Sequence, residues 1–182
     1  MKIRKALLII DMQKGSFTDK TPRFDTTGVV KRINALAQKF RVGELPVIFI
    51  QHDGSKWKAF VPNTSEWELL DELDVNPNDL ILSKTANDAF YNSALEFKLR
   101  ELEVKDLVIT GCATDFCVEA TIQSALVKNY NITVVKNGHT TGDRPHLKAE
   151  QVIEQYNWMW QNMIPTEGKI EVKDFEEVLM CI

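Results

Sequence analysis

The 182-residue sequence predicts a single α/β domain over residues 1–182, a three-layer sandwich whose mostly parallel, six-stranded sheet is flanked by helices on both faces. Three observations predict it. Short runs of aliphatic and β-branched residues read as buried strands. Apolar repeats of helical period stand between them, which calls for helices packed over a parallel sheet. The chain is also long enough to bury roughly 70% of its unfolded surface in one core.

The first strand is Ala6 to Ile10, a continuous apolar run that stops at Asp11. The basic Met1-Lys2-Ile3-Arg4-Lys5 before it gives a superficial likeness to a secretory leader. The apolar run is too short for that, and no small-residue cleavage site follows, so the segment is read as a strand. Asp11-Met12-Gln13-Lys14-Gly15-Ser16-Phe17 then leaves the sheet as a loop. Val29, Ile33, Leu36, Ala37 and Phe40 recur at i, i+4, i+7, i+8 and i+11, an amphipathic helix ended by Gly43. Leu45 to Ile50 is the second strand.

From Gln51 to Asp79 the pattern is irregular and carries His52, Trp57, Phe60 and Trp67, as expected of a lid or substrate wall. Leu80 to Ser83 is a third strand with Lys84 at its carboxyl end. Ser93-Ala94-Leu95-Glu96 reads as a capping box opening a helix whose Leu95, Leu99 and Leu102 face the core. Asp106 to Thr110 is the fourth strand, broken at Gly111. Val118, Ile122, Ala125 and Leu126 form the stripe of the next helix, with Thr114 or Asp115 as its cap, so Cys117 is expected in its first turn. Asn131 to Val135 is a fifth strand, followed by a polar turn from Asn137 to Pro145. Ala149, Val152, Ile153, Tyr156 and Trp160 mark a long helix, with Asp143 as its cap and Pro145 in its first turn. Lys169 to Val172 is a last edge strand, and Phe175 to Met180 a short helix.

Composition removes several classes of function. The net charge of −4 offers no basic face, so no nucleic-acid partner is expected. No apolar run is long enough to span a bilayer, so no membrane partner is expected either. Three cysteines without framework spacing fit a reducing, cytoplasmic compartment. There is no Gly-x-Gly-x-x-Gly after the first strand and no phosphate-loop Gly-Lys-Ser/Thr, so nucleotide binding has no support.

Ligands of open parallel sheets sit beyond the carboxyl ends of the strands. Asp11, Lys84 and Cys117 all lie there. A cysteine in a first helical turn faces unpaired N–H groups and the positive dipole end, which favour thiolate over thiol. Asp11, if buried, can take and return a proton, Lys84 can balance the charges, and the turn before Cys117 offers N–H donors to an oxyanion. Each residue has a structural alternative. Free cysteine usually packs as a small hydrophobe, Asp after a strand usually caps a turn, and Lys there is usually solvated. Their convergence is what favours chemistry.

Leu-Leu-Ile-Ile-Asp11-Met-Gln, Ser-Lys84 with Asn87-Asp88-Ala89-Phe90, and Val-Ile-Thr-Gly111-Cys-Ala-Thr-Asp115-Phe-Cys117-Val together resemble the three signature blocks of the isochorismatase-like cysteine hydrolases. The resemblance covers nearly the whole chain. It implies a six-stranded parallel sheet, an Asp11-Lys84-Cys117 triad, a cis Cys112–Ala113 peptide, and an oxyanion hole from the N–H groups of Ala113 and Cys117. Two departures limit the inference. The metal-binding nicotinamidases of that family carry Asp-x-His after the second strand and a further His before the catalytic Lys. Here Gln51-His52-Asp53 stands alone, so neither metal nor cofactor is expected, and His52 reads as a wall residue. True isochorismatases lack the nucleophilic cysteine, which this chain keeps.

The expected activity is therefore hydrolysis of a C–N bond in a small amide, ureido or carbamoyl compound through a thioester on Cys117. The alternatives are vinyl-ether hydrolysis of the isochorismatase type, a thiol redox pair of Cys112 and Cys117, and a binding module that has lost the chemistry. Phe17, His52, Trp57 and Phe90 are the expected substrate contacts, with Phe60 and Trp67 as further aromatic candidates. Arg144 and His146 could reach a substrate carboxylate or a neighbouring subunit, or simply sit in a solvated turn. Tyr156, Trp158, Met159, Trp160 and Met163 carry more apolar surface than one helix face needs, so a homo-oligomer, dimer or tetramer, is expected.

Overall fold

The computed structural model describes residues 4–182, so Met1 to Ile3 of the leader-like segment lie outside it. Among these residues six strands form one sheet: β1 (Arg4–Ile10), β2 (Val47–His52), β3 (Leu80–Lys84), β4 (Val104–Cys112), β5 (Asn131–Thr140) and β6 (Ile170–Lys173). Their spatial order is β3-β2-β1-β4-β5-β6, and every neighbouring pair is parallel. The helices are α1 (Thr26–Val42), α2 (Leu95–Glu101), α3 (Glu119–Val127), α4 (Ala149–Gln161) and α5 (Phe175–Met180).

Alternation along the strands divides the core. Leu7 and Ile9 of β1 pack with Val29, Ile33, Leu36 and Phe40 of α1, and Val178 of α5 joins them. Leu8 and Ile10 point the other way, toward Leu95 and Leu99 of α2, Ile122 and Ala125 of α3, and Trp160 of α4. The sheet is thus buried on both faces, which is why its central strands are continuously apolar. The chain steps outward through β2 and β3, then crosses back to β4. Right-handed crossovers put helices of the two directions on opposite faces, and the reversal opens a crevice at the carboxyl ends of β1 and β4.

Four local expectations are corrected. β5 does not end at Val135. A bulge lets Ile109 pair with Val134 while Gly111 pairs with His139, so the strand runs on to Thr140 and buries His139. Glu96 does not close a capping box, because its carboxylate is drawn to Lys128 and Arg100. Ser93 Oγ alone receives the Leu95 N–H, at 3.2 Å. α4 begins at Ala149, leaving Pro145 outside it, and the Asp143 carboxylate caps it by accepting the Ala149 N–H at 3.0 Å. Finally, the apolar surplus read on α4 shrinks, since Tyr156, Met159, Trp160 and Met163 pack against the core of their own chain while Trp158 stays 62% exposed.

Candidate active site

Asp11 is the first residue beyond β1. Its backbone adopts φ 48°, a left-handed conformation that Asp tolerates better than most residues, and its N–H reaches the Ile50 carbonyl at 2.9 Å. The turn directs the carboxylate inward, where it is almost fully buried. Lys84 arrives from the edge strand β3 by strand alternation. Leu80 and Leu82 pack on the α2–α4 side of the sheet, and Lys84, next in that series, is enclosed at 1% exposure.

An enclosed ammonium is costly unless its charge and protons are answered. Lys84 Nζ is answered by Asp11 Oδ2 at 2.6 Å and the Ala86 carbonyl at 2.9 Å. It also faces His52 Nδ1 and Cys117 Sγ, each at 3.4 Å. Burial and then the Lys84 charge push His52 below its ordinary value, so its imidazole is neutral near pH 7. The second Asp11 oxygen, Oδ1, is buried without a hydrogen-bond partner among the described residues.

Cys117 lies in a π-helical turn, Thr114–Val118, rather than in the first turn of an α-helix. The peptide bond between Cys112 and Ala113 is cis. The Ala113 carbonyl accepts the N–H groups of Phe116 and Val118, both at 3.1 Å. Neither Thr114 nor Asp115 caps the turn, because both side chains are engaged elsewhere. The expected thiolate is also corrected. Burial first, and the Asp11 carboxylate second, push the Cys117 thiol well above its ordinary value against the pull of Lys84. With the thiol raised rather than lowered, the resting group is a thiol whose proton needs an acceptor.

Two networks hold this turn. Thr114 Oγ1 meets His139 Nδ1 at 2.9 Å, and His139 Nε2 meets Asn157 Oδ1 at 3.0 Å. Asn157 Nδ2 donates to the Lys136 carbonyl, which leaves Oδ1 to face the ring. His139 therefore carries its proton on Nε2 and accepts from Thr114 through Nδ1. Burial holds its pKa down to about 4, against the opposing Asn157 hydrogen bond. In the second network, Arg144 grips Asp115 through Nε at 2.6 Å and Nη2 at 2.8 Å, and Thr141 Oγ1 adds a bond at 2.7 Å. Burial alone would push the Asp115 carboxyl up, but these bonds hold it below the usual carboxylate range. The Arg144 guanidinium also covers the Phe116 ring at 5.0 Å.

The crevice is a pocket of about 230 Å³ that brings together Asp11, Ala113 and Cys117, with His52 and Phe60 in its walls. Three expected contacts lie elsewhere. Phe17 packs into the α1 side of the core, Phe90 is buried against Tyr130 at 5.7 Å, and Trp57 is 73% exposed. Trp67 contributes its carbonyl, which receives Gln13 and Gln51, each at 2.9 Å. Cys112 borders the pocket but packs with the α1-side core, and burial pushes its thiol up to about 12, whereas Cys117 packs on the opposite side. Arg144 lines the pocket and His146 does not. Among the described residues, no group of three or more His, Cys, Asp or Glu is placed to hold a metal ion.

Residue reasoning missed Gln13, Ser16, Arg23, Asn87 and Phe116 as wall residues. Gln13 follows Asp11 by two positions and Asn87 lies just past Lys84, so strand-end position was a usable signal for both. Gln13 pins β2 to β1 by accepting the His52 N–H at 2.7 Å and donating to its carbonyl at 3.1 Å. Asn87 Oδ1 receives the Cys117 thiol at 3.6 Å.

Comparison with known proteins places this architecture. The isochorismatase domain model matches residues 5–167. Streptothricin hydrolase of Streptomyces noursei is 28% identical over 141 residues, covering 78% of this chain and 56% of that protein. The chain thus spans little more than half of that relative. The ureidoacrylate amidohydrolase RutB of Caulobacter vibrioides is 29% identical over 175 residues, covering 75% of this chain and 77% of that protein. A crystal structure of an isochorismatase family protein superposes with a TM-score of 0.84 at 30% identity, covering 92% of this chain and 97% of that one. The chain belongs to the isochorismatase family.

Proposed function

We propose that this isochorismatase-family chain is a cysteine-dependent hydrolase that cleaves a C–N bond of a small amide, ureido or carbamoyl compound. The observation that carries the reading is the enclosed contact set in which Lys84 Nζ touches both Asp11 Oδ2 and Cys117 Sγ beside a small pocket that Asp11 and Cys117 line. Hydrolase and amidohydrolase relatives on the same domain support it.

In this reading the Cys117 thiol gives its proton to Asp11 as the sulfur attacks the scissile carbonyl carbon. The rising negative charge on the carbonyl oxygen is met by the N–H groups of Ala113 and Cys117. As the tetrahedral adduct collapses, Asp11 returns the proton to the leaving nitrogen, so ammonia or an amine departs and a thioester remains. Water then gives a proton to Asp11 and attacks the thioester carbonyl. Collapse expels the Cys117 sulfur, which regains the proton, and the acid is released. Lys84 Nζ, 3.4 Å from Sγ, limits the energy of the transient thiolate.

Ammonia release from a panel of small carboxamides, ureas and carbamoyl compounds tests this. Wild type should turn over at least one, and Cys117→Ala should turn over none. Equal rates from both proteins would remove the cysteine from the mechanism.

A further inference from the structure

Among the described residues, the charges that line the pocket are answered in pairs except for one. Asp11 is matched by Lys84 and Asp115 by Arg144. Arg23 also lines the pocket, and among the described residues no carboxylate pairs with it. Its segment is strapped to the end of β5, with the Phe24 N–H on the Thr141 carbonyl at 2.9 Å and Thr140 Oγ1 donating to the Phe24 carbonyl. Arg23 Nε donates to the Ser16 carbonyl at 2.8 Å, which fixes the guanidinium plane. Gly142 makes room for it, since a Cβ there would stand 3.1 Å from Arg23 Nη1 and 2.9 Å from the Pro22 carbonyl. The Nη1 and Nη2 edge takes no acceptor among the described residues.

A half-buried guanidinium held by one nitrogen presents two parallel N–H groups, the geometry that a carboxylate fits. Asp11 lines the same pocket, and among the described residues its buried Oδ1 has no hydrogen-bond donor. A ligand satisfying both would carry an N–H at its scissile end and a negative charge at its far end. We infer that Arg23 is a specificity-determining residue that binds a carboxylate on the substrate, so that the preferred substrates are monoanionic amide or ureido acids. The inference rests on the hydrolase reading for the scissile end, whereas the anion site stands on the Arg23 geometry.

Binding and turnover separate the two. Titration calorimetry of Cys117→Ala with succinamate, with N-carbamoylglycine, and with the neutral amide of each reads the anion site without chemistry. Ammonia release by wild type on the same compounds reads the hydrolase. At least one acid should bind about tenfold or more tightly than its amide, and Arg23→Gln in the Cys117→Ala background should bring that ratio to within about twofold. In the otherwise wild-type chain, Arg23→Gln should narrow the acid-to-amide ratio of kcat/KM mainly through KM, and Arg23→Lys should restore part of it. Turnover without preference for the acid overturns the anion site and leaves the hydrolase standing. Acid-selective binding that depends on Arg23, with no ammonia from wild type, keeps the site and overturns the hydrolase. Binding of acid and amide alike, or a preference that survives Arg23→Gln, overturns the assignment of Arg23.

Discussion

Lys84 Nζ lies 2.6 Å from Asp11 Oδ2 in a contact almost closed to solvent, and the other Asp11 oxygen has no partner among the described residues. The pair is at once structural and chemical. Removing either member leaves a buried charge unanswered, at a cost of about 3–5 kcal/mol. Lys84→Met and Asp11→Leu should each lower the urea midpoint strongly, and the double variant should recover most of the loss. None of the three should release ammonia. A double variant as unstable as the sum of the singles would show that the two residues do not answer each other.

Asp11 should also set the reactivity of Cys117, because burial and this carboxylate raise its thiol pKa. With no substrate bound at pH 7, iodoacetamide should modify Cys117 more slowly than the exposed Cys181. Asp11→Asn removes one of the two raising influences while keeping the shape. It should speed alkylation of Cys117 as it abolishes hydrolysis. Peptide mass mapping reads both sites, and slower alkylation in Asp11→Asn would reverse the electrostatic account.

His139 predicts a pH dependence of stability. Its folded pKa is about 4 against an ordinary 6.5, so below 6.5 the unfolded chain binds a proton that the folded chain refuses. Stability from this group is therefore complete above the unfolded value and falls as pH drops from about 6.5 toward 4, by up to about 3 kcal/mol. Below 4 both states are protonated and no further loss comes from it. His139→Gln should flatten that part of the profile in denaturant titrations, and an unchanged slope would place the titration elsewhere.

Gly111 is required by its backbone. It sits at φ 124° beside its register partner Ile10, and a Cβ would meet the Ile10 carbonyl oxygen at 2.2 Å. Since Ile10 immediately precedes Asp11, the clash displaces the acid as well as the strand. Gly111→Ala should cost about 3 kcal/mol or more. It should also lower kcat in whatever fraction remains folded, and a variant with wild-type stability would contradict the close approach.

Legibility in the sequence followed the strands. Asp11, Lys84 and Cys117 each stand at or just past an apolar run, so parallel-sheet logic alone brings them to one crevice. His139 was hidden because Asn137-Gly138 reads as a turn, whereas the chain bulges there and resumes pairing. Phe17 and Phe90 misled because an aromatic beside a motif is as readily core as wall, and only packing decides. Arg23 lies in a loop with no periodic neighbours, and nothing local reveals that Gly142, far along the chain, leaves space for it. The thiolate expectation weighed a helix dipole but not desolvation, which depends on the surrounding fold.

The most direct test is rapid-quench intact-mass analysis of wild type during turnover of a substrate that releases ammonia. The account predicts an acyl adduct on the peptide bearing Cys117, discharged by hydroxylamine and absent from Cys117→Ala. Ammonia release at the full rate with no adduct on Cys117 at any quench time, or sustained turnover by Cys117→Ala, would contradict it.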